Sequence, residues 1–249
     1  MLIPPLSLIE EHSGGIDLQE FVTSGDATVE DALKRRAGLL PSHRLLDIGC
    51  GCGKIARPLT AYLTGRGRYD GIDITRTVID WCNENYKSFS NFHFHHSDIR
   101  SKRYNPRGTV SAATYIFPFS DDEFDIVFLG SVFTHMLPDE VDHYVREIAR
   151  VLKPGGTCLA TFFLLNSTSN NNVSAGLTTP KFAYRFGGVG CRIEVVDVPE
   201  AAIAYEENII REIYSRHRLS INAINYGEWG RGRFIPHWQD EVWSGKAMR

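Results

Sequence analysis

Short apolar runs alternate with segments of helical periodicity along the first two thirds of the chain. Each apolar run stops at glycine or polar residues, which predicts a buried strand, and apolar residues at helical spacing follow it. Such alternation favours an α/β fold built on a mostly parallel sheet. The predicted strands are 44–48, 68–74, 92–99, 124–129 and 157–165.

The last third of the chain ends on two further strand-like segments, 219–226 and 237–246. The glycine-rich stretch 227–232 joins them, which predicts an antiparallel hairpin. The polar stretch 16–40 contains an amphipathic helix for which Thr28 is the expected N-cap. Helical periodicity also covers 54–63, 78–86, 139–152 and 205–216.

Composition narrows the function classes without choosing one. The 249 residues carry a formal net charge of −3 and a pI near 6.3, so no general field attracts a nucleic acid. The five cysteines are odd in number and lack disulfide-like spacing, which favours a reducing, cytoplasmic compartment. No apolar run reaches the roughly 18 residues that a membrane span needs. We therefore expect neither a nucleic-acid nor a membrane partner.

The stretch around which the chain is organised runs from Arg44 to Pro58. A short apolar strand containing Asp47 ends at three alternating glycines, and a helical pattern follows them. Glycine lets the backbone adopt positive φ and lets a ligand approach closely. A dinucleotide site requires G-x-G-x-x-G, but Lys54 occupies the place of the third glycine of that motif. This spacing disfavours a diphosphate ligand.

Asp73 stands near the end of the second predicted strand. A carboxylate there can accept hydrogen bonds from both hydroxyls of a ribose. Nicotinamide enzymes use an acidic residue in the same way, so Asp73 argues for a ribose and leaves the cofactor open. The alternative is that Asp73 only caps the next helix.

The sequence Asp-x-Gly-x-Gly-x-Gly at 47–53 resembles the first motif of class I S-adenosylmethionine-dependent methyltransferases. The stretch 117–128 resembles the fourth motif of their small-molecule branch, called type 11, and Leu-Lys-Pro-Gly-Gly at 152–156 is also typical of the family. The resemblance implies a Rossmann-like, doubly wound, mostly parallel seven-stranded sheet with a C-terminal antiparallel hairpin. It also implies a single domain over 1–249, with a cap segment 1–40, a cofactor-binding core 41–165, and a lid and closing hairpin 166–249.

The cofactor implied by the resemblance is S-adenosylmethionine, bound where strand ends converge on one crevice. Asp98 is the expected partner of the adenine amine, with Ile99 against the ring. The full predicted set of cofactor-binding residues is Asp47, Gly49, Cys50, Gly51, Gly53, Asp73, Ile74, Asp98, Ile99, Gly130 and Ser131.

We expect methyl transfer to an oxygen or nitrogen of a small-molecule acceptor. His135, after the fourth strand, is the candidate general base if the acceptor must lose a proton. The alternatives are a methyltransferase acting on protein or RNA, and a non-catalytic cofactor-binding protein. Neither the acceptor nor the oligomeric state can be read from the sequence. His143 is expected to face solvent, and His237 to lie near the closing hairpin.

Two segments are expected to cover the crevice. The stretch 21–26 is a candidate lid, with a helix packed on the sheet edge as the alternative. The Asn- and Ser-rich segment 166–190 is a candidate substrate lid, with an exposed linker as the alternative. Four aromatic residues are considered for an acceptor pocket or, alternatively, for the core: Phe182, Tyr184, Phe186 and Trp229. The histidines at 93–96 are not expected to bind a metal, because Cys50 and Cys52 lack ligand spacing.

Overall fold

The computed structural model describes residues 2–12, 16–188, 190–231 and 238–248. The chain divides into two compact units. The first unit is Met1–Asp98 with Glu123–Phe128, and the second is Ile99–Asp122 with Leu129–Arg249. His237, predicted to begin the last strand, lies outside the described residues.

A seven-stranded sheet forms as predicted. Its strands are β1 (Arg44–Ile48), β2 (Arg68–Asp73), β3 (Phe92–His96), β4 (Phe124–Leu129), β5 (Leu152–Phe162), β10 (Leu219–Asn225) and β11 (Asp240–Lys246). Strands β6 to β9 belong to a second sheet, described below. Their order is β10-β11-β5-β4-β1-β2-β3. Strand β2 pairs in parallel with β1 and β3, whereas β11 pairs antiparallel with β5 and β10. This order and these directions confirm the predicted fold class.

Two boundaries differ from prediction because glycine and tertiary pairing override local pattern. The stretch 153–156 was expected to separate a helix from a strand, but β5 already begins at Leu152. Gly155 lies inside that strand with φ of +79°, a conformation that a side chain would strain. The helix predicted over 54–63 is reduced to the short α3, Ala56–Leu59, flanked by turns.

Helices of the first unit precede and separate its strands. They are α1 (Leu6–His12), α2 (Leu18–Ala27) and α4 (Arg76–Asn85), and α2 continues into a π-helical segment, Thr28–Arg36. The prediction that Thr28 caps this helix is wrong, because Thr28 lies within the continuous helical run. The N-cap of α2 is Asp17, whose carboxylate accepts the N–H of Glu20 at 2.7 Å.

The second unit contains a sheet that the sequence pattern did not predict. Its strands are β6 (Leu164–Leu165), β7 (Tyr184–Phe186), β8 (Cys191–Ile193) and β9 (Ile203–Glu206), in the order β6-β9-β8-β7. The helix predicted from Tyr205 was therefore placed too early, because Tyr205 pairs with Leu164 and Cys191 as a strand residue. The helix itself, α7, is Glu207–Arg216.

A cluster of buried side chains packs against this second sheet. Phe182 and Trp229 belong to it, with ring centroids 5.4 Å apart, so they are core residues rather than the lining of an acceptor pocket. Tyr184 is instead 51% exposed. The buried members of the cluster are Phe163, Leu165, Phe182, Ala202, Ala204 and Trp229.

The remaining helices of the second unit are α5 (Pro138–Val151) and α6 (Ser167–Ser174). The segment after Asn166 is thus helical, with the Asn166 side chain accepting the N–H groups of Thr168 and Ser169 at 3.0 and 3.1 Å. His143 on α5 is buried, which corrects the expectation that it faces solvent. Its Nε2 lies 2.7 Å from the carbonyl oxygen of Tyr115, and its Nδ1 lies 2.8 Å from Arg146.

Within the described ranges, no helix combines the length and apolar character needed to cross a membrane. The same residues include no group of three or more His, Cys, Asp or Glu side chains arranged to hold a metal ion.

A buried carboxylate ties three segments of the second unit together. Asp240 Oδ2 accepts the N–H of Leu164 and the indole N–H of Trp229, both at 2.7 Å, and Oδ1 accepts the N–H of Gly227 at 2.8 Å. Burial raises the pKa of Asp240 to about 6, although these three donors oppose the shift. Asp240 thereby fixes the start of β11 to Leu164 and to the segment that contains Gly227 and Trp229.

Asp240→Asn should destabilise the protein, because the new amide group sets a donor against a backbone or indole N–H. We expect the free energy of unfolding to fall by about 1–3 kcal/mol, the cost of unsatisfied buried polar groups. Urea denaturation followed by circular dichroism measures this. Asp197→Asn, at an exposed position of the same unit, is the matched control and should change stability by less than about 0.5 kcal/mol. Equal losses in both variants would contradict the role assigned to Asp240.

Candidate functional site

The glycine loop after β1 adopts a backbone that requires glycine. The φ angles of Gly49, Gly51 and Gly53 are +76°, +52° and +83°. A Cβ on Gly53 would also lie 2.8 Å from the hydroxyl of Tyr86, closer than real Cβ contacts. The alternating glycines therefore set the path of the chain as it leaves the first strand.

The N–H groups of this loop are bonded within the protein. Gly49 and Cys50 donate to the carbonyl oxygen of Ile72 at 2.8 and 3.1 Å, and Gly51 donates to Asp73 Oδ2 at 2.9 Å. Phosphate-binding loops instead present several free backbone N–H groups to the anion. The geometry thus agrees with the spacing argument against a diphosphate ligand.

Asp73 ends β2 with its carboxylate held in place by backbone donors. Oδ2 accepts from Gly51, and Oδ1 accepts the N–H of Thr75 at 2.8 Å. Burial raises the pKa of Asp73, and the Thr75 and Gly51 hydrogen bonds lower it in part. Each oxygen retains lone-pair capacity after one such bond, so the group can still accept two hydroxyls of a sugar. The neighbouring Ile74 is half-buried and lies beside this carboxylate in sequence.

Asp47 lies beneath the loop as a buried carboxyl group. It is 1% exposed, and Tyr69 donates its phenol hydrogen to Asp47 Oδ2 at 2.6 Å. Burial raises the pKa of Asp47 to about 7, with the Tyr69 bond and the nearby Lys54 opposing that shift. A ligand carrying positive charge would favour the ionised form of this carboxyl group.

Two thiols of the first unit converge on one carbonyl group in the loop. The Sγ atoms of Cys50 and Cys82 lie 3.7 and 3.6 Å from the oxygen of Gly51. Both cysteines are buried, and burial raises the pKa of each thiol, so they pack as neutral side chains. Cys50 also fills the space that a side chain on Gly71 would need, 2.8 Å from the position of its Cβ.

Asp98 and Ile99 follow β3 by two and three residues, beyond the observed end of the strand at His96. Asp98 is half-buried and ends the continuous part of the first unit, whereas Ile99 belongs to the second unit and is 3% exposed. The contact of Asp98 and Ile99 with adenine stays a prediction.

In the second unit, Ser131 follows β4 with an uncommon backbone conformation and a hydrogen-bonded side chain. Its φ is +59°, strain that in a non-glycine residue points to a functional position. Its N–H donates to Thr161 Oγ1 at 2.7 Å, and its hydroxyl donates to Gln239 Oε1 at 2.9 Å. Thr161 donates to the same amide oxygen at 2.6 Å. Gly130 directly precedes this network.

Sequence reasoning missed Thr161 and Gln239 as members of the Ser131 network. Gln239 lies inside the closing strand predicted over 237–246, but the strand pattern gave this residue no role. Thr161 lies inside β5 and carried no signal.

His135 lies in the second unit with one ring nitrogen fixed. Its Nδ1 is 2.9 Å from the carbonyl oxygen of Glu200, which can only accept, so Nδ1 carries the hydrogen. Nε2 is then an acceptor, and the phenol hydroxyl of Tyr104 donates to it at 3.4 Å. Burial, together with the charge of Arg103, lowers the pKa of His135 from 6.5 to about 4. The imidazole is therefore neutral at physiological pH.

Neither Tyr104 nor Glu200 was singled out from the sequence. Tyr104 lies in the irregular segment after β3, and Glu200 lies in the 3₁₀ turn Pro199–Ala201 before β9. The backbone N–H of Lys102 donates to Glu200 Oε1 at 3.2 Å, and Arg103 donates to the carbonyl oxygen of Ala201 at 2.9 Å. No pattern in the sequence connects segments almost a hundred residues apart.

The structure thus brings together part of the predicted set. In the first unit, Asp47, the glycine loop and Asp73 lie together at the ends of β1 and β2. In the second unit, Ser131 and His135 each have an ordered hydrogen-bonding environment. The contacts of all these residues with a cofactor stay predictions.

Comparison with known proteins finds similarity to methyltransferases. Residues 46–160 match the family model described as "Methyltransferase domain". A crystal structure of a SAM-dependent methyltransferase from Methanosarcina mazei superposes with a TM-score of 0.57 at 21% identity, covering 85% of this chain and 95% of that one. This structural likeness supports the fold.

Curated relatives include methyltransferases of more than one kind. Methyltransferase GfsG of Streptomyces halstedii is 29% identical over 159 residues, 64% of this chain and 51% of the relative. The 27-O-demethylrifamycin SV methyltransferase of Amycolatopsis mediterranei is 34% identical, covering 56% of this chain and 48% of the relative. The tRNA N(3)-cytidine methyltransferase METTL2 of Gallus gallus is 30% identical, covering 49% and 30%. The chain thus spans about half the length, or less, of these relatives.

Asp47 should make stability depend on pH in a defined window. Its pKa is about 7 when folded and 3.8 ordinarily. Between these values the folded protein holds a proton that the unfolded chain has released, so this group's contribution falls as pH rises, by at most about 1.4 kcal/mol per pH unit. The free energy of unfolding of wild type minus that of Asp47→Asn should therefore decrease from pH 4 to pH 7 and then level off.

Urea titrations of both proteins at several pH values measure this difference. The pKa of Asp240 is also raised, to about 6, but Asp240 titrates in both proteins and cancels in the subtraction. A difference that does not change with pH would contradict the account of Asp47.

Proposed function

We propose a function for this chain from the premise that it belongs to the class I S-adenosylmethionine-dependent methyltransferases, with a type 11-like domain over residues 46–160. The predictions of this family, of a methyltransferase enzyme and of S-adenosylmethionine as cofactor are confirmed for this domain. The activity of the whole chain and its acceptor are the matters that we propose here.

The proposed reaction is transfer of the cofactor's methyl group to an oxygen or nitrogen of a small-molecule acceptor. The observation that carries the cofactor part is the glycine loop whose N–H groups bond to β2 while Asp73 keeps its capacity to accept hydroxyls. Such a loop suits a nucleoside without phosphate. When bound, the cofactor supplies an activated methyl group on a sulfonium, so the protein's work is positioning and exclusion of water.

The proposed cofactor-binding residues are those predicted from the sequence. In the first unit we assign Asp47, Gly49, Cys50, Gly51, Gly53, Asp73, Ile74 and Asp98. Ile99, Gly130 and Ser131 of the second unit complete the proposed set. Asp73 would hold the ribose, Asp98 and Ile99 the adenine, and Asp47 would offset the positive charge of the cofactor.

His135 is proposed to face the acceptor. Its fixed tautomer leaves Nε2 as a hydrogen-bond acceptor, next to the phenol of Tyr104. Because its pKa is low, His135 remains neutral, and its Nε2 can accept a hydrogen bond from the acceptor's hydroxyl or amine. The proton that the acceptor loses on methylation then passes by way of this nitrogen to water. The hydrogen bond from Tyr104 to Nε2 is long, at 3.4 Å, so a hydroxyl or amine of the acceptor can replace it at this nitrogen.

A small-molecule acceptor is supported by the net charge of −3, which offers no general attraction for RNA. The similarity to a rifamycin methyltransferase points in the same direction. The similarity to tRNA methyltransferases favours a second candidate, methyl transfer to RNA. We further propose that the 249 residues act as one methyltransferase domain in the cytoplasm.

S-adenosylhomocysteine binding tests the cofactor site. Asp73→Asn should weaken binding about ten- to a hundredfold, because a charge-assisted hydrogen bond is worth about 1.5–3 kcal/mol. Isothermal titration calorimetry gives the dissociation constants. Asp80→Asn, an exposed substitution on α4, is the matched control and should bind like wild type. Binding of NAD in preference to S-adenosylhomocysteine would contradict the proposed function.

The acceptor class follows from labelled methyl transfer. Wild-type protein and Asp73→Asn are incubated with radiolabelled S-adenosylmethionine and, separately, with a metabolite extract, total RNA and a protein extract. Label that enters the metabolite fraction in an Asp73-dependent way supports a small-molecule acceptor. Label in RNA or protein alone would overturn that assignment.

The pH dependence of methyl transfer tests the role of His135. With a pKa of about 4, the neutral imidazole persists throughout the ordinary working range. We therefore expect the contribution of His135 to kcat to stay constant from pH 6 to 9 and to be lost only as pH falls toward 4. His135→Gln should lower kcat while leaving the affinity for S-adenosylhomocysteine unchanged. A fall in kcat centred near pH 6.5 that this variant abolishes would contradict the assignment.

A further inference from the structure

We propose that His12, the last residue of α1, is an additional cofactor-binding residue that contacts the ribose. This inference rests on the proposed function and extends its cofactor site. It arises from the packing of the N-terminal helices against the glycine loop, all within the first unit.

The end of α1 lies over the glycine loop. Ile9 is fully buried and anchors the helix. The carbonyl oxygen of His12 lies 3.6 Å from the position that a Cβ on Gly51 would take. Since Gly51 also donates its N–H to Asp73, the end of α1 lies next to the bond that connects the loop to the ribose carboxylate.

Helix α2 packs against the same loop one turn further along. A Cβ on Gly25 would lie 2.6 Å from the carbonyl oxygen of Lys54, so α2 and the residue after the loop are in close contact. Arg57 donates to the carbonyl oxygen of Val22 at 3.0 Å and pairs with Asp26. Helix α2 is thus fixed to the loop by packing and by charge.

The carbonyl oxygen of His12 at Gly51 places its imidazole in the neighbourhood of Asp73. Burial raises the pKa of the Asp73 carboxyl, whereas the hydrogen bonds from Thr75 and Gly51 and, as the smallest contribution, the charge of His12 lower it. The carboxylate of Glu11, which is 70% exposed, lies 3.6 Å from Nε2 of His12. That distance is longer than a strong hydrogen bond, so a ribose hydroxyl can compete with Glu11 for the ring.

A ribose offers two adjacent hydroxyls to these groups. Asp73 can accept from both, and a hydroxyl that donates to Asp73 still has lone pairs for an imidazole N–H. The side chain of His12 is only 18% exposed, so such a bond would form with little competition from water. His12 and Asp73 would then hold the sugar from two sides, one as donor and the other as acceptor.

Nucleoside analogues isolate the ribose contact without requiring an acceptor. Dissociation constants of adenosine and 2′,3′-dideoxyadenosine are measured by competition against S-adenosylhomocysteine for wild type, His12→Gln and His43→Gln. His43 precedes β1 and accepts the N–H of Leu40, so it provides a histidine substitution of the same unit outside the site. The ratio of the two constants within one sample does not depend on the fraction of folded protein.

In wild type, adenosine should bind more tightly than the dideoxy analogue. His12→Gln should reduce that preference about five- to tenfold, as expected for one hydrogen bond. His43→Gln should retain the wild-type ratio. An unchanged ratio in His12→Gln would overturn the inference, and so would equal weakening of both nucleosides, which would indicate a purely structural role. Failure of wild type to bind S-adenosylhomocysteine would instead overturn the proposed function.

Discussion

The hydrogen bond from the N–H of Gly51 to Asp73 connects the two parts of the chain on which the proposed function depends. It joins the loop after β1 to the end of β2, across 22 residues of sequence. The positive φ of Gly51 directs its N–H toward the carboxylate, and the bond orients one oxygen of Asp73. Loop shape and carboxylate position are therefore set together.

This arrangement explains which ligand the loop can serve. With Gly49 and Cys50 also bonded to Ile72, backbone donors stabilise the protein rather than an anion. What remains for a ligand is acceptor capacity, from Asp73 at the loop and from the buried Asp47 beneath it. A nucleoside with sugar hydroxyls and a positive charge matches these acceptors, whereas a diphosphate would meet two carboxylates.

The fold and the shape of the glycine loop could be predicted from the sequence because their signals are local. Apolar runs mark the central strands, and alternating glycines mark a backbone that other residues avoid. The four-stranded sheet escaped detection because its strands are short: Cys191–Ile193 has three residues, and its strand state depends on pairing with a distant segment. His135 was found by residue type, but its neutral state comes from burial and from the Glu200 carbonyl, which no local pattern reports. His143 was predicted to face solvent, but it is buried against the distant Tyr115 carbonyl group, a contact that no local pattern reports either.

The central claim is that the glycine loop and Asp73 together bind the nucleoside of S-adenosylmethionine. A crystal structure with S-adenosylhomocysteine tests it most directly. We predict both ribose hydroxyls within hydrogen-bonding distance of Asp73, with the Gly51 N–H still donating to that carboxylate. A nucleoside bound away from Asp73, or a loop whose N–H groups leave β2 to contact the ligand, would contradict the account.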